Sequence, residues 1–495
     1  MTTKAYLAID LGAESGRTIV GVLDDARVEL HETHRFANTQ LRLPTGLHWD
    51  LINLWRGILT GTRNAVEWTR ARGIPLVSLG VDTWGVDFGL VGASGELLGL
   101  PHAYRDERTA PIFEHTLAAY GREKIYAATG IEFMSLNTLY QLLAQQAAAP
   151  ETIAQARRLM LMSDLMHYFL TGKMVNEAAI ASSSQMVDPR TGDWARSMLA
   201  DLGLPTHMLG EILPAGTNLG PPLPHVCAAT GMDESTRVIM PATHDTASAV
   251  AAVPADARTS WCYLSSGTWS PMGAELEEPC LSDAARDALF TNEGGVSGTI
   301  RFLKNITGLW LLQECRRQYE QRGEPRDYQQ LTAAAETAPA FRTLINPDDK
   351  AFLTPGRILE KITAFAERTG QPAPRNMGEY VRCCLESLAL AYRRMLGSLE
   401  DVLGRRYEVL HIVGGGAKNR LLNQMTADAI GRRVVAGPAE ATALGNVMIQ
   451  AMGAGDVRDR FEIREIVAAA MSPEIYEPRS GQEWDRAADR YREYL

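Results

Sequence analysis

The stretch Met240-Pro-Ala-Thr-His-Asp-Thr-Ala-Ser-Ala-Val250 lies close to the midpoint of this 495-residue chain. It sets three polar side chains, His244, Asp245 and Thr246, between an apolar run and an alanine-rich one. An aspartate ahead of small helix formers reads as a helix N-cap, its carboxylate accepting backbone N–H groups. The same placement suits a general base, because a carboxylate fixed at a helix start is held still for proton transfer. What flanks it must decide. Other stretches could handle charged ligands. Asp10-Leu-Gly-Ala-Glu-Ser-Gly-Arg17 joins two strands through a glycine-containing turn, whose amides could hold phosphate oxygens or simply close a hairpin. Asp82-Thr-Trp-Gly-Val-Asp87 ends an apolar strand, where open α/β sheets build ligand crevices and where an aspartate also caps a turn. Gly414-Gly-Gly416, between a strand and a helix, would let a nucleotide approach the backbone closely.

Regular elements must position these groups. Apolar runs at 6–10, 18–23, 77–81, 237–241, 261–264, 271–275, 408–413 and 433–436 read as strands. Helical periodicity marks 51–72, 111–150, 155–170, 196–202, 308–322, 382–403, 421–430 and 442–452. Residues 90–92 and 96–99 flank Ala93-Ser-Gly95 as a second hairpin, and 291–295 turn into 298–305. Ser265-Ser-Gly-Thr-Trp-Ser270 follows its strand as Gly12–Gly16 follows the first, which points to a duplication of fold rather than of residues. A domain boundary is expected just after the strand leading to His244, and the last forty residues, from Asp456, are charged with helical stretches.

Size and composition narrow the class. The chain is too long for one core, and 45% hydrophobic with 22% charged residues is ordinary for a soluble globular protein. A net charge of −10 gives no invitation to nucleic acid or an anionic membrane surface. The six cysteines form no CxxC pair, so buried thiols in a reducing cytoplasm are expected, with neither a metal cage nor a disulfide framework. The N-terminal run into a strand lacks a signal peptide's apolar core, and no window is long enough to span a bilayer. The glycines at 414–416 fall outside a GxGxxG pattern with an acidic partner, which disfavours a dinucleotide-dependent dehydrogenase.

Taken with Tyr104-Arg-Asp106, Asn137-Thr-Leu-Tyr-Gln141, Thr291-Asn-Glu-Gly-Gly295, Leu303-Lys-Asn-Ile306, Gly308-Leu-Trp-Leu-Leu-Gln313 and His411-Ile-Val-Gly-Gly-Gly416, these motifs resemble the FGGY carbohydrate kinases. That family belongs to the actin/hexokinase-like ATPases, and the resemblance runs from about Tyr6 to about Met452. It implies an α/β fold of two actin-like, ribonuclease H-like domains with an internal duplication and an interdomain cleft. Residues 1–243 would form the sugar side, 244–455 the ATP side and 456–495 a helical tail. The implied reaction is ATP-dependent phosphorylation of a ketose 1-hydroxyl. His-Asp-Thr, in place of the Gly-Asp-Gln or Gly-Asp-Asn of glycerol- and xylulose-type kinases, favours L-rhamnulose; L-fuculose or a pentulose stays open. The alternative of another class is a non-catalytic actin-like nucleotide sensor.

By the same resemblance, Asp245 would take the proton of the attacking hydroxyl, and Asp10 would hold Mg²⁺, directly or through water. Ala13, Glu14, Ser15, Gly16 and Arg17 would cradle phosphate, while Thr268, Gln313 and Gly415 contact the nucleotide. Gly85, His244, Asp245, Thr246 and Asn305 would bind the sugar. Trp84 and Phe88 could offer apolar surface to a deoxy-sugar methyl. The implied partners are a small-molecule ketose and ATP, without nucleic acid or membrane, and a homo-oligomer is open.

Overall fold

Strand β1 (Lys4–Leu11) is buried along both faces, which is why it reads as a nearly unbroken apolar run. The structure is a computed structural model and describes residues 3–25, 27–256, 258–479 and 481–495. By their contacts these fall into two units, the first being Met1–Ala252, Glu275–Phe302 and Ala441–Ala470. The second comprises Val253–Ala274, Leu303–Glu440 and Met471–Leu495.

In the first unit β1 is central to a six-stranded sheet. It pairs antiparallel with β2 (Ser15–Asp24), which pairs antiparallel with β3 (Arg27–Ala37). On its other side β1 runs parallel to β4 (Leu76–Thr83). Strands β5 (Asn218–Gly220) and β6 (Arg237–Ile239) complete the order β5-β6-β4-β1-β2-β3, with β6 parallel to β4 and antiparallel to β5. Helix α1 (Leu51–Arg70) starts at Asp50, whose side chain accepts from Asn53 N, and buries Leu51, Leu54, Ile58, Ala65 and Val66. That spacing is one helical face. Helix α2 (Asp245–Ala251) follows β6, and α3 (Ala441–Gly453) packs on it. Gly61 of α1 closes on Thr18, whereas Val447 of α3 closes on Gly21, three residues along β2. Side chains alternate along a strand, so the two helices cover opposite faces of the sheet. The core between these layers includes Leu7, Ile9, Leu54, Ile58, Leu79 and Val81.

In the second unit β7 (Trp261–Ser265) pairs antiparallel with β8 (Met272–Leu276) and parallel with β9 (Val409–Val413). Strand β10 (Arg433–Ala436) runs parallel to β9, and β11 (Glu474–Tyr476) antiparallel to β10. The sequence of pairings (antiparallel, parallel, parallel, antiparallel) repeats that of β2, β1, β4, β6 and β5. The expected duplication of fold is therefore present. The charged tail is split: the helix Arg460–Ala470 belongs to the first unit, and β11 with the helix Gln482–Arg492 to the second.

Two sequence expectations need correction. Residues 155–170 are not one helix: Arg158–Leu161 is a strand, and the helix begins at Met162 and ends at Thr171. A four-residue apolar run fits either state, and pairing with the strand Phe88–Val91 decides it. The hairpin expected across Ala93–Gly95 is present beside it: Gly92 N donates to Glu96 O and Leu98 N to Leu90 O, both at 2.8 Å, and Val91 bridges to Leu97. Residues 111–150 hold the helices Ala110–Tyr120, Arg122–Thr129 and Thr138–Ala148, interrupted at Gly121 and Gly130, both at positive φ.

The contact of α2 with α3 depends on a missing side chain. A Cβ at Gly445 would lie 1.8 Å from the Ser248 carbonyl oxygen, a backbone atom that cannot swing away. Gly397, inside the helix Met377–Leu403, has nothing within 4 Å of such a Cβ. Gly445→Ala is expected to destabilise by about 1–3 kcal/mol. Gly397→Ala should stabilise by up to about 1 kcal/mol. Urea denaturation of both variants checks this, and effects of the same sign would refute the packing argument.

Candidate active site

Strand register assembles three carboxylates. Asp10 on β1 stands opposite Arg17 on β2 and beside Asp82 on β4. Past β6, Thr83 N donates to Thr243 O at 2.9 Å and Thr83 bridges to His244 in parallel sense. Asp10, Asp82 and Asp245 therefore arrive at the C-terminal ends of three adjacent parallel paths, where open α/β sheets place ligands. Asp10 is ion-paired with Arg17. Asp82 is fully buried, and its Oδ2 accepts from Asn446 Nδ2 of α3. Burial holds the Asp82 carboxyl well above its ordinary range, the charge of Asp10 adds to this, and Asp245 adds less; the Asn446 hydrogen bond and Arg17 oppose it. Asn446 is itself oriented: its Oδ1 accepts from Gln450 one turn on, and Gln450 also donates to Leu7 O at 3.0 Å and accepts from Ser78 Oγ at 2.7 Å.

Asp245 is the most exposed of the three acids, its side chain 37% accessible against 9% for Asp10. It is not the N-cap expected from sequence. His244 occupies that position with an extended backbone, and Asp245 is the first helical residue. One residue too far in to reach the next turn's amides, its Oδ1 accepts from Thr246 N at 2.5 Å and Thr246 Oγ1 at 3.0 Å. The approach to His244 is tied down from behind. Buried Glu177 accepts from Thr243 N at 3.0 Å and Thr243 Oγ1 at 2.8 Å, and buried Asp164 accepts from Glu177 N and Asn176 Nδ2. Gly85 lies against the His244 ring, for a Cβ there would be 2.8 Å from Nε2 and 3.0 Å from Ser183 Oγ.

Asp87 is a hub. It accepts from Trp49 Nε1 at 2.7 Å, Trp84 Nε1 at 2.9 Å, Gln141 Nε2 at 2.8 Å and Tyr104 N at 3.2 Å. The Trp49 and Trp84 rings lie 4.2 Å apart. Burial still pushes the Asp87 carboxyl up to about 6, against the pull of those four donors. Trp84 and Phe88 are both buried and belong to different apolar clusters.

Glu14 is exposed at the tip of the β1–β2 turn beside Ala13, and β2 has already resumed at Ser15, Gly16 and Arg17. Asn38 braces the turn, its N donating to Glu14 O and its Nδ2 to Gly12 O. The second unit carries a cavity of about 790 Å³ lined by Gly267, Gln313, Tyr328, Gly415, Lys418 and Asn419. That is the size of a small-molecule site. Thr268 and Gln313 are hydrogen-bonded at its edge. The three glycines do different work. Gly414 has φ +83°, Gly416 would drive a Cβ to 1.9 Å from Ser266 Oγ, and Gly415 would meet no atom within 4 Å. Asn305 follows the strand Ile300–Lys304 in the second unit.

Residues 5–252 match the N-terminal domain of the FGGY family of carbohydrate kinases and residues 262–454 its C-terminal domain. The chain belongs to that family. It is 42% identical to a rhamnulokinase of Bacteroides thetaiotaomicron over 482 residues, 97% of each chain. It is 37% identical to one of Oceanobacillus iheyensis, over 94% of this chain and 96% of that one. In fold it resembles xylulose kinase from Rhodospirillum rubrum (TM-score 0.80, 19% identity, covering 99% and 98%). The Plasmodium falciparum glycerol kinase with ADP is similar too (TM-score 0.78, 16% identity, covering 99% and 97%).

Among the described residues no group of three or more His, Cys, Asp or Glu side chains is arranged to hold a metal ion by itself. A magnesium ion accompanying a nucleotide fits the acids here even so, since it keeps several waters and takes one or two carboxylates. Sequence reading missed Asn446, Asp87 as a hub, and the pair Glu293 and Arg301 beside His244, described below. One usable signal was present: Asn446 and Gln450 are polar at i, i+4 in an otherwise small and apolar helix.

The raised Asp87 carboxyl makes stability pH-dependent. Its folded pKa of about 6 exceeds the unfolded value, so the folded state keeps a proton that the unfolded state has released. The contribution is complete below about pH 4 and is lost as pH rises through 6, about 3 kcal/mol in all. Asp87→Asn lacks this term. Its stability relative to the native protein should rise by about that amount between pH 4 and pH 7 in denaturant titrations. A flat difference would contradict the assignment.

Proposed function

We propose that this kinase transfers the γ-phosphoryl group of ATP to the 1-hydroxyl of L-rhamnulose, giving L-rhamnulose 1-phosphate and ADP. The observation that carries the reading is Asp245: a partly exposed carboxylate beside two buried acids at the C-terminal edge of the sheet. Kinship over 94–97% of the chain with proteins named rhamnulokinase supports the sugar.

Phosphoryl transfer asks the protein mainly for positioning and charge neutralisation. Asp245 takes the hydroxyl proton as the oxygen attacks phosphorus. Thr246, whose hydroxyl and amide already hold Asp245 Oδ1, fixes the carboxylate and contributes to the sugar site with Gly85, His244 and Asn305. Asp10 is the acid to hold the nucleotide's magnesium, which neutralises charge on the transferring group. Ala13, Glu14, Ser15 and Gly16 cradle phosphate at the β1–β2 turn, and Arg17 adds positive charge beside them. Thr268, Gln313 and Gly415 receive the nucleotide at the second unit's cavity. Six free thiols and an ATP requirement fit the cytoplasm, and no helix among the described residues is long and apolar enough to cross a membrane.

A coupled ADP-release assay across L-rhamnulose, L-fuculose and a pentulose should give the highest kcat/KM with L-rhamnulose. Another ketose ranking first would reassign the substrate, and no release with any would favour a nucleotide sensor. Asp245→Asn should lower kcat by about 10²–10⁴-fold while ATP still binds; an intact kcat would remove Asp245 from the mechanism.

Gly415 gives a separate check on the nucleotide side. Because protein atoms leave room for a side chain there, Gly415→Val should preserve the fold and raise the KM for ATP by about tenfold or more, with little change for sugar. Equal effects on both constants would argue against a nucleotide at this cavity.

A further inference from the structure

The two ring nitrogens of His244 meet different surroundings. Nε2 faces Gly85, on the side where substrate would lie. Nδ1 is buried, lies 3.7 Å from Asp245 Oδ1 and 3.9 Å from Glu293 Oε2, and is hydrogen-bonded to neither. Asp245 Oδ1 already has two donors from Thr246. Glu293 Oε2 is placed otherwise. Arg301 Nη2 stands 2.8 Å away as a close ion pair without the alignment of a hydrogen bond, so this oxygen still lacks a donor among the described residues.

Glu293 is also rigidly held. Arg301 is fully buried and its Nε donates to Gly294 O at 2.8 Å. Gly294 N in turn donates to Ser182 Oγ at 2.7 Å, one residue before the Ser183 that packs beside Gly85. A neutral imidazole has one N–H and one lone pair, and a fixed acceptor at one nitrogen decides which atom keeps the proton. The 3.9 Å gap exceeds a bonded distance by about 1 Å, within reach of a small ring rotation. Were Asp245 the acceptor instead, the proposed base would gain a third donor and lose basicity.

We infer that Glu293 is a positioning residue for sugar recognition: its carboxylate, fixed by Arg301, takes the Nδ1 proton of His244 and leaves Nε2 as an acceptor for a ketose hydroxyl beside Gly85. The inference rests on the reading of His244 as a sugar-binding residue. The charged groups facing the imidazole are Asp245, Glu293 and, behind Glu293, Arg301.

A double-mutant cycle on the full-length enzyme tests it. Glu293→Gln should raise the KM for ketose about tenfold or more and leave the KM for ATP unchanged. Because this variant strands a buried guanidinium, Glu293→Gln with Arg301→Gln is made as well. The pair should recover the thermal midpoint without recovering the ketose KM. In a His244→Gln background, Glu293→Gln should add no further loss. Recovery of the ketose KM in the paired variant, or losses that multiply across the cycle, would overturn the inference alone. An unchanged ketose KM in His244→Gln by itself would overturn the reading of His244, and the inference with it.

Discussion

Three carboxylates at the ends of neighbouring strands repel one another when ionised, and the more strongly the drier their surroundings. Much of the first unit works as a response to that constraint. Asp10 has Arg17 across the hairpin, so its charge is matched. Asp82 has burial and one amide donor, and burial holds its carboxyl well above the ordinary range. Asp245 alone keeps substantial contact with solvent. Three copies of one side chain thus acquire three characters from their environments.

That arrangement needs polar groups far from the chemistry. Asn446 can serve Asp82 only because Gln450, Ser78 and the Leu7 carbonyl fix which way its amide points. Thr243 holds His244 in place only because Glu177 is buried and saturated with donors. Networks of this kind rigidify a core when every member is satisfied and weaken it when one is left over. Not every member is satisfied: Asp82 Oδ1, Asn176 Oδ1, His244 Nδ1 and Glu293 Oε2 are buried without a hydrogen-bond partner among the described residues, and the last two lie 3.9 Å apart.

Much of this was legible in the residues. The two hairpins, the aspartates closing strands and the polar break at 244–246 all follow from local pattern, and the family motifs within them supply the roles. The rest depends on distance along the chain. Asp82 and Asn446 are 364 residues apart, and nothing near either announces the other. Arg158–Leu161 is a strand only because Phe88–Val91 lies ready to pair with it. Asp245 missed the cap by one residue, since the extended backbone continues through His244 before the helix begins. Local propensity fixes that a turn occurs, and tertiary pairing fixes its frame.

The duplication makes the division of labour visible. Both sheets share the same order of pairings, yet their C-terminal edges differ in kind. In the first, adjacent parallel strands end in Asp10 and Asp82. In the second, Ser265 pairs with Val413, and the chain goes on into Ser266-Gly267 and Gly414-Gly415-Gly416, without a charged side chain until Lys418. One edge concentrates charge that must be neutralised, and the other removes side chains so that a cavity of about 790 Å³ can lie against backbone. The two copies of the fold therefore present chemically different edges from the same strand order. A gene duplication that kept the strand order could produce them by changing only the residues where the strands stop.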